Sequence, residues 1–141
     1  FNALIGNHDA HAKNFSLIYT ERGTLLAPLY DALSTAVYAN LTDKMAMKIG
    51  SKYKFAEVQV RHWEQFALAA GLSPAQVKKR ILTLARQLPS EAASLRSLFA
   101  ARDWDHDILG EIVGLIERRC QLTSKRLEAA GPGGDEPGDD E

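Results

Sequence analysis

Three oxygen-bearing side chains in the first third of the chain, Asp9, Asn14 and Asp31, stand in an order that suits phosphoryl transfer from a nucleotide. Such chemistry needs a carboxylate that orients an attacking hydroxyl and accepts its proton. It also needs oxygen ligands for hard Mg²⁺ ions, which offset the charge of a triphosphate. Protein kinases place an amide ligand five residues after the catalytic-loop carboxylate and a second carboxylate ligand further downstream. Asp9 and Asn14 keep that spacing, and Asp31 follows. A short hairpin between Asn14 and Asp31 would bring the two ligands together. Spacing alone is weak, because Asp and Asn are common loop residues, and for Asp9 the plain alternative is a turn aspartate accepting backbone hydrogen bonds. His8, Asp9 and His11 could instead begin a metal-hydrolase cluster. Against that, no second ligand group follows, and His62 and His106 fall in helical regions.

The full string is more specific than the spacing. The run Asn7-His8-Asp9-Ala10-His11-Ala12-Lys13-Asn14-Phe15-Ser16-Leu17, with Pro28-Leu29-Tyr30-Asp31 after it, resembles the C-terminal domain of the HipA family, the serine/threonine kinase toxins of bacterial toxin–antitoxin modules. The resemblance extends through Lys44-Met45-Ala46-Met47 and the helical remainder. It implies a kinase C-lobe in which Asp9 is catalytic and Asn14 and Asp31 bind Mg²⁺ beside ATP. Either His11 or Lys13 would supply positive charge to the transferring phosphate. Ala32-Leu33 stand where most kinases have Phe-Gly after the metal aspartate, which removes the familiar Gly hinge. The resemblance further implies a protein substrate with a Ser or Thr acceptor, a target within translation such as an aminoacyl-tRNA synthetase, and a DNA-binding antitoxin as partner. A Gly-rich phosphate loop and a strand Lys paired with a helix Glu are not in this sequence and are expected in an N-terminal lobe of the same chain. Without that lobe the fragment should be inactive. The rival from another class is a truncated, non-catalytic remnant acting as a protein-binding module.

The elements that must position these residues fall into two parts. In the front third, Asn14 to Tyr19 and Thr24 to Pro28 are short extended runs around a Glu21-Arg22-Gly23 turn, with another strand expected at Met45 to Ile49. Behind them the periodicity predicts a bundle of about four helices. Glu57 to Ala70 aligns Val58, Trp63, Phe66, Ala67 and Ala70 on one face. Ser73 and Pro74 open a second helix through Ile81, Leu84, Ala85 and Leu88, ending before Pro89. Ser90 to Ala101 is expected as a third. Asp105 is expected to cap a long last helix with Ile108, Ile112, Leu115, Ile116 and Leu122 on its apolar stripe. The fold class is therefore mainly α: a kinase-like C-lobe of a catalytic loop, a small β-hairpin and a helical bundle, spanning residues 1–130. Residues 131–141, without an apolar side chain and rich in Gly, Pro and acid, are expected to be a disordered tail.

Bulk composition excludes more than it identifies. No apolar run approaches the ~20 residues of a membrane span, and 141 residues suffice for one compact domain. A soluble, cytoplasmic protein is expected, and the lone Cys120 cannot form an internal disulfide. Net charge is −1, but five acids crowd the last seven residues, so the rest is mildly basic. That balance is too slight for direct nucleic-acid binding, which wants clustered Lys and Arg. Lys78-Lys79-Arg80 fits a solvated helix face, and Trp63 and Trp104 fit core or interface anchors. Asn7 and Ser16 fit loop-capping roles at least as well as contacts to nucleotide. Thr42 to Ser51 frames an apolar strand with Lys44 and Lys48 that could lie by the site.

Overall fold

The computed structural model describes residues 1–129, so the expected acidic tail lies outside the described residues. The order is α1 (Asn2–Ile5), β1 (Leu17–Thr20), β2 (Gly23–Leu26), β3 (Lys44–Ile49), β4 (Lys52–Lys54), α2 (Val60–Ala69), α3 (Pro74–Ala100) and α4 (Asp107–Ala129). Short 3₁₀ turns at Ala12–Asn14, Thr35–Val37 and Phe55–Glu57 punctuate the front half. The described residues are mainly helical, with two separate two-stranded antiparallel sheets among them.

The first sheet is the expected hairpin. Leu17 pairs with Leu26 and Thr20 with Gly23, and Gly23 takes φ 128°, open to glycine at little cost. Every residue of β1 and β2 is exposed, including Leu17, Ile18, Tyr19, Leu25 and Leu26. The second sheet pairs β3 with β4 through an irregular register between Lys44 and Ile49. The sequence suggested β3 but not β4, which has only three residues and no apolar alternation. Gly50, at the turn between them, sits at φ 58°. A Cβ there would come within 2.7 Å of the His62 carbonyl, so the turn presses directly on α2.

Leu4 and Ile5 of α1, Met45 and Ile49 of β3, Phe55, Val58, Ala85 of α3, and Ile116 and Cys120 of α4 form the core. Trp63, Leu84, Leu88, Ile112 and Leu122 pack against it. Apolar burial here, at roughly 25 cal/mol per Å², is what ties the front segment to the helices. Gly6 ends α1 in a left-handed turn at φ 77°, where a Cβ would meet Leu115 of α4 at 2.6 Å. That close approach sets the catalytic-type loop against α4 from its first residue. At the other end of the core, Arg126 of α4 donates to the carbonyls of Val58 at 2.6 Å and Ala56 at 2.9 Å.

The helical half departs from the periodicity in four places. The helix expected over residues 57–70 begins at Val60, because Phe55–Glu57 closes its own 3₁₀ turn first. Ser73 and Pro74 take the expected N-cap and first-turn places, but the helix they open does not stop at Pro89. It continues to Ala100 as one element, absorbing the separate helix expected over 90–101. A proline removes one backbone N–H and crowds one carbonyl, and the paired apolar faces of α3 and α4, the most extensive helix contact in the fold, outweigh that. Asp105 does not cap α4. It pairs with Arg96 at 3.5 Å, and Nδ1 of His106 accepts the Ile108 N–H at 3.2 Å. Among the described residues three helices, not four, follow the front segment.

Candidate active site

The loop between α1 and β1 owes its shape to side chains that bond its own backbone. Asn7 is 4% exposed, and both ends of its side-chain amide bond neighbouring groups. Its Oδ1 accepts the Asp9 N–H at 3.1 Å, while Nδ2 donates to Asn2 Oδ1 and to the Asp31 carbonyl, each at 3.2 Å. One amide thus ties the backbone of Asp9 to that of Asp31, 22 residues later in sequence. The sequence left Asn7 between a loop-capping role and a contact to nucleotide or backbone, and the structure shows it bonded to backbone on both sides. The signal that could have found it is a polar residue directly beside the candidate carboxylate, where burial would force complete hydrogen bonding.

Asn14 ends the 3₁₀ turn and is buried. Its Nδ2 donates to Asp31 Oδ2 at 2.7 Å, and its Oδ1 accepts the His11 N–H at 3.3 Å. The hairpin does what the sequence required of it, returning the chain so that Asn14 and Asp31 meet. Tyr30 reinforces the return: its hydroxyl donates to the Lys13 carbonyl at 2.7 Å and lies 3.2 Å from Ser16 Oγ. Asp31 itself is held at φ 54°. For a non-glycine residue this left-handed conformation is uncommon and costs free energy, and such costs cluster where a side chain must be aimed.

The remaining candidates are more open. The Asp9 carboxylate is 70% exposed, and its Oδ1 lies 3.9 Å from His11 Nε2. The opposite nitrogen of that ring, Nδ1, is buried with no hydrogen-bond partner. Lys13 is exposed and enters the network through the backbone carbonyl that Tyr30 holds. The structure therefore joins Asn14 directly to Asp31, joins the backbone of Asp9 to that of Asp31 through Asn7, and puts His11 beside Asp9.

His8 has a different task from its neighbour. Its ring spans from the Thr42 carbonyl, 3.0 Å from Nδ1, to Arg119 Nη2, 2.8 Å from Nε2. With both nitrogens engaged, His8 is unavailable as a ligand, which disposes of the metal-hydrolase grouping of His8, Asp9 and His11. Among the described residues no three His, Cys, Asp or Glu side chains converge as a metal-holding group. The open question over Thr42 to Ser51 is answered by the Ala46 N–H, which donates to the His8 carbonyl at 2.7 Å. β3 runs against the back of the loop.

Residues 1–92 match the sequence profile of the HipA-like C-terminal domain. The chain belongs to that family. Among curated relatives of this HipA-like domain, "Putative kinase Y4mE" of Sinorhizobium fredii is 48% identical over 84 residues, covering 60% of this chain and 20% of the relative. The serine/threonine-protein kinase toxin HipA of Shewanella oneidensis is 29% identical over 105 residues, covering 74% of this chain and 24% of the toxin. Among solved structures, a chain in the complex of the Shewanella oneidensis toxin–antitoxin system, HipA with HipB and its operator DNA, superposes with a TM-score of 0.75 at 22% identity. That match covers 91% of this chain and 30% of the other, and it shows a shared fold. The HipA-like domain thus spans about a fifth to a third of the proteins it resembles. No helix among the described residues is long and apolar enough to cross a membrane.

Proposed function

We propose that this HipA-like domain is the C-terminal lobe, residues 1–130, of a serine/threonine protein kinase. It would transfer the γ-phosphoryl group of ATP to a protein hydroxyl, as the toxin of a toxin–antitoxin pair in the cytoplasm. The single observation that carries the reading is the 2.7 Å hydrogen bond from the Asn14 amide nitrogen to the Asp31 carboxylate, which brings the two residues proposed as Mg²⁺ ligands together across 17 residues.

The donor set fits Mg²⁺, which prefers carboxylate and amide oxygens and keeps several positions for water and substrate phosphates. Asn14 and Asp31 would hold it, and bound Mg-ATP would supply the phosphoryl group and neutralise its developing charge. Asp9 orients the acceptor hydroxyl and takes its proton, a role suited to an exposed carboxylate whose backbone is clamped by Asn7. His11 or Lys13 supports the negative charge, and the 3.9 Å approach of His11 to Asp9 favours His11. Asn7 keeps the acceptor end and the metal end of the site in register.

The exposed hairpin supports a further lobe. An isolated two-stranded ribbon is marginal in water, and here five large apolar side chains of β1 and β2 face solvent. An N-terminal lobe of the same protein, bringing the phosphate loop and its lysine, would cover them and complete the nucleotide cleft. The DNA-binding antitoxin enters by analogy with the solved HipA–HipB–operator complex. The test is transfer of labelled γ-phosphate from Mg-ATP by the protein as encoded, beside Asp9→Asn. Transfer that drops by about 100-fold or more in the variant, in line with loss of a positioned general base, supports the kinase. No transfer from a folded protein that binds Mg-ATP favours a non-catalytic binding module.

A further inference from the structure

Arg119 of α4 lies well beyond residue 92, where the family match ends, yet it reaches the residue next to Asp9. Its Nη2 donates to His8 Nε2 and its Nη1 to the Ala3 carbonyl, both at 2.8 Å, while the guanidinium sits 4.3 Å from the centre of the Phe55 ring. The partner of His8 Nδ1 is a carbonyl oxygen, which can only accept, so Nδ1 carries the proton and Nε2 offers its lone pair to Arg119. His8 is held on its backbone as well: its N–H donates to Thr35 Oγ1 at 2.9 Å, and its carbonyl accepts from Ala46.

An arginine is a costly choice for this place. All the bonds it makes here are to neutral groups, and burial without a carboxylate pushes its guanidinium down to about 10. A half-buried cation with no carboxylate partner contributes less to the fold than an apolar side chain of similar volume would. What the guanidinium supplies, and an apolar residue cannot, is two donors in a rigid fork that couple α1, α4 and the His8 ring.

We propose that Arg119 is a positioning residue for the Asp9 loop, acting through His8, so that α4 fixes the orientation of the catalytic carboxylate it never touches. The activity part rests on the kinase reading; the geometric part does not.

The test uses the protein as encoded, with any chain preceding Phe1 retained. Arg119→Met keeps the length and the contact with Phe55 but removes both donors, and Arg119→Lys keeps the charge and one donor. Amide exchange at His8, Asp9 and Ala46 should quicken tenfold or more in Arg119→Met, while Ile81 to Ala85 of α3 stay within twofold of the parent. In the same variant kcat should fall tenfold or more with KM for ATP within twofold, and Arg119→Lys should recover part of both losses. On a His8→Leu background, Arg119→Met should change neither quantity more than twofold, because coupled residues are non-additive. Unchanged exchange at the three loop amides, or equal losses with and without His8, would overturn the proposal. Nitrogen-15 spectra of the unmutated His8 ring give an independent check should Arg119→Met not fold: protonation at Nδ1 agrees with it, and an Nε2–H tautomer refutes it. If the unmutated protein transfers no phosphate, the kinase reading fails, and the exchange and ring spectra still decide the role of Arg119.

Discussion

Asn14 and Asp31 are joined by a 2.7 Å hydrogen bond from amide to carboxylate, although a β-hairpin separates them in sequence. The bond leaves Asn14 Oδ1 on the His11 N–H and fixes which way each group faces. Asp31 reaches this arrangement only in a left-handed backbone conformation, at φ 54°.

That conformation makes a prediction about cost. Asp31→Gly should unfold in urea within about 1 kcal/mol of the parent, since glycine adopts the conformation freely. Asp31→Ala should be less stable than Asp31→Gly by about 1–2 kcal/mol, because both lose the bond from Asn14 and only Ala keeps the Cβ that crowds the following carbonyl there. Both should lose phosphoryl transfer. Equal stability of the two variants would mean that the backbone at residue 31 is not under strain.

Asn7 should behave as a structural residue with a functional consequence. Asn7→Leu fills the space but strands the Asp9 N–H and the Asp31 carbonyl, and leaving buried polar groups unpaired costs about 1–3 kcal/mol each. Urea midpoints should fall accordingly, and activity measured where the variant is fully folded should also drop. A variant of parental stability would show that water replaces the amide at no cost.

Pro89 lies inside α3, one turn after Ala85, whose carbonyl receives no N–H from it. Pro89→Ala restores that bond and should stabilise the protein by about 1–3 kcal/mol. Thermal unfolding is the measurement. A loss of stability would mean that the ring of Pro89 packs well enough to offset the missing bond.

Cys120 is 1% exposed, and burial pushes its thiol up to about 11 from an ordinary value of 9.0. Between pH 9 and 10 the unfolded chain gives up this proton and the folded chain keeps it, so stability should fall as pH rises, by about 1 kcal/mol per pH unit at most. Cys120→Ala should flatten that slope, at the expense of a smaller core side chain at every pH. Thiol reagents at pH 8 should label the folded protein far more slowly than the urea-unfolded chain.

The sequence by itself determined the local elements and the chemical types. The Glu21-Arg22-Gly23 turn specified the hairpin, the apolar stripes pointed to helices over 57–70 and 74–88 and to a last one after Asp105, and the Asp9, Asn14 and Asp31 string marked where we propose the chemistry. These follow from period, turn geometry and residue type, which act over a few residues. Tertiary structure alone decided the rest. It carried α3 through Pro89, because packing against α4 outweighs one lost backbone bond. It assigned His8 to Thr42 and Arg119 rather than to a metal, and made Asn7 the clamp between Asp9 and Asp31. Asn7 and Asp31, His8 and Thr42, and His8 and Arg119 lie 24 to 111 residues apart along the chain, so no local pattern encodes them. The pairings exist only because the core formed by α1, β3 and α4 brings their backbones together and sets the Asn7 and His8 side chains within reach of these partners.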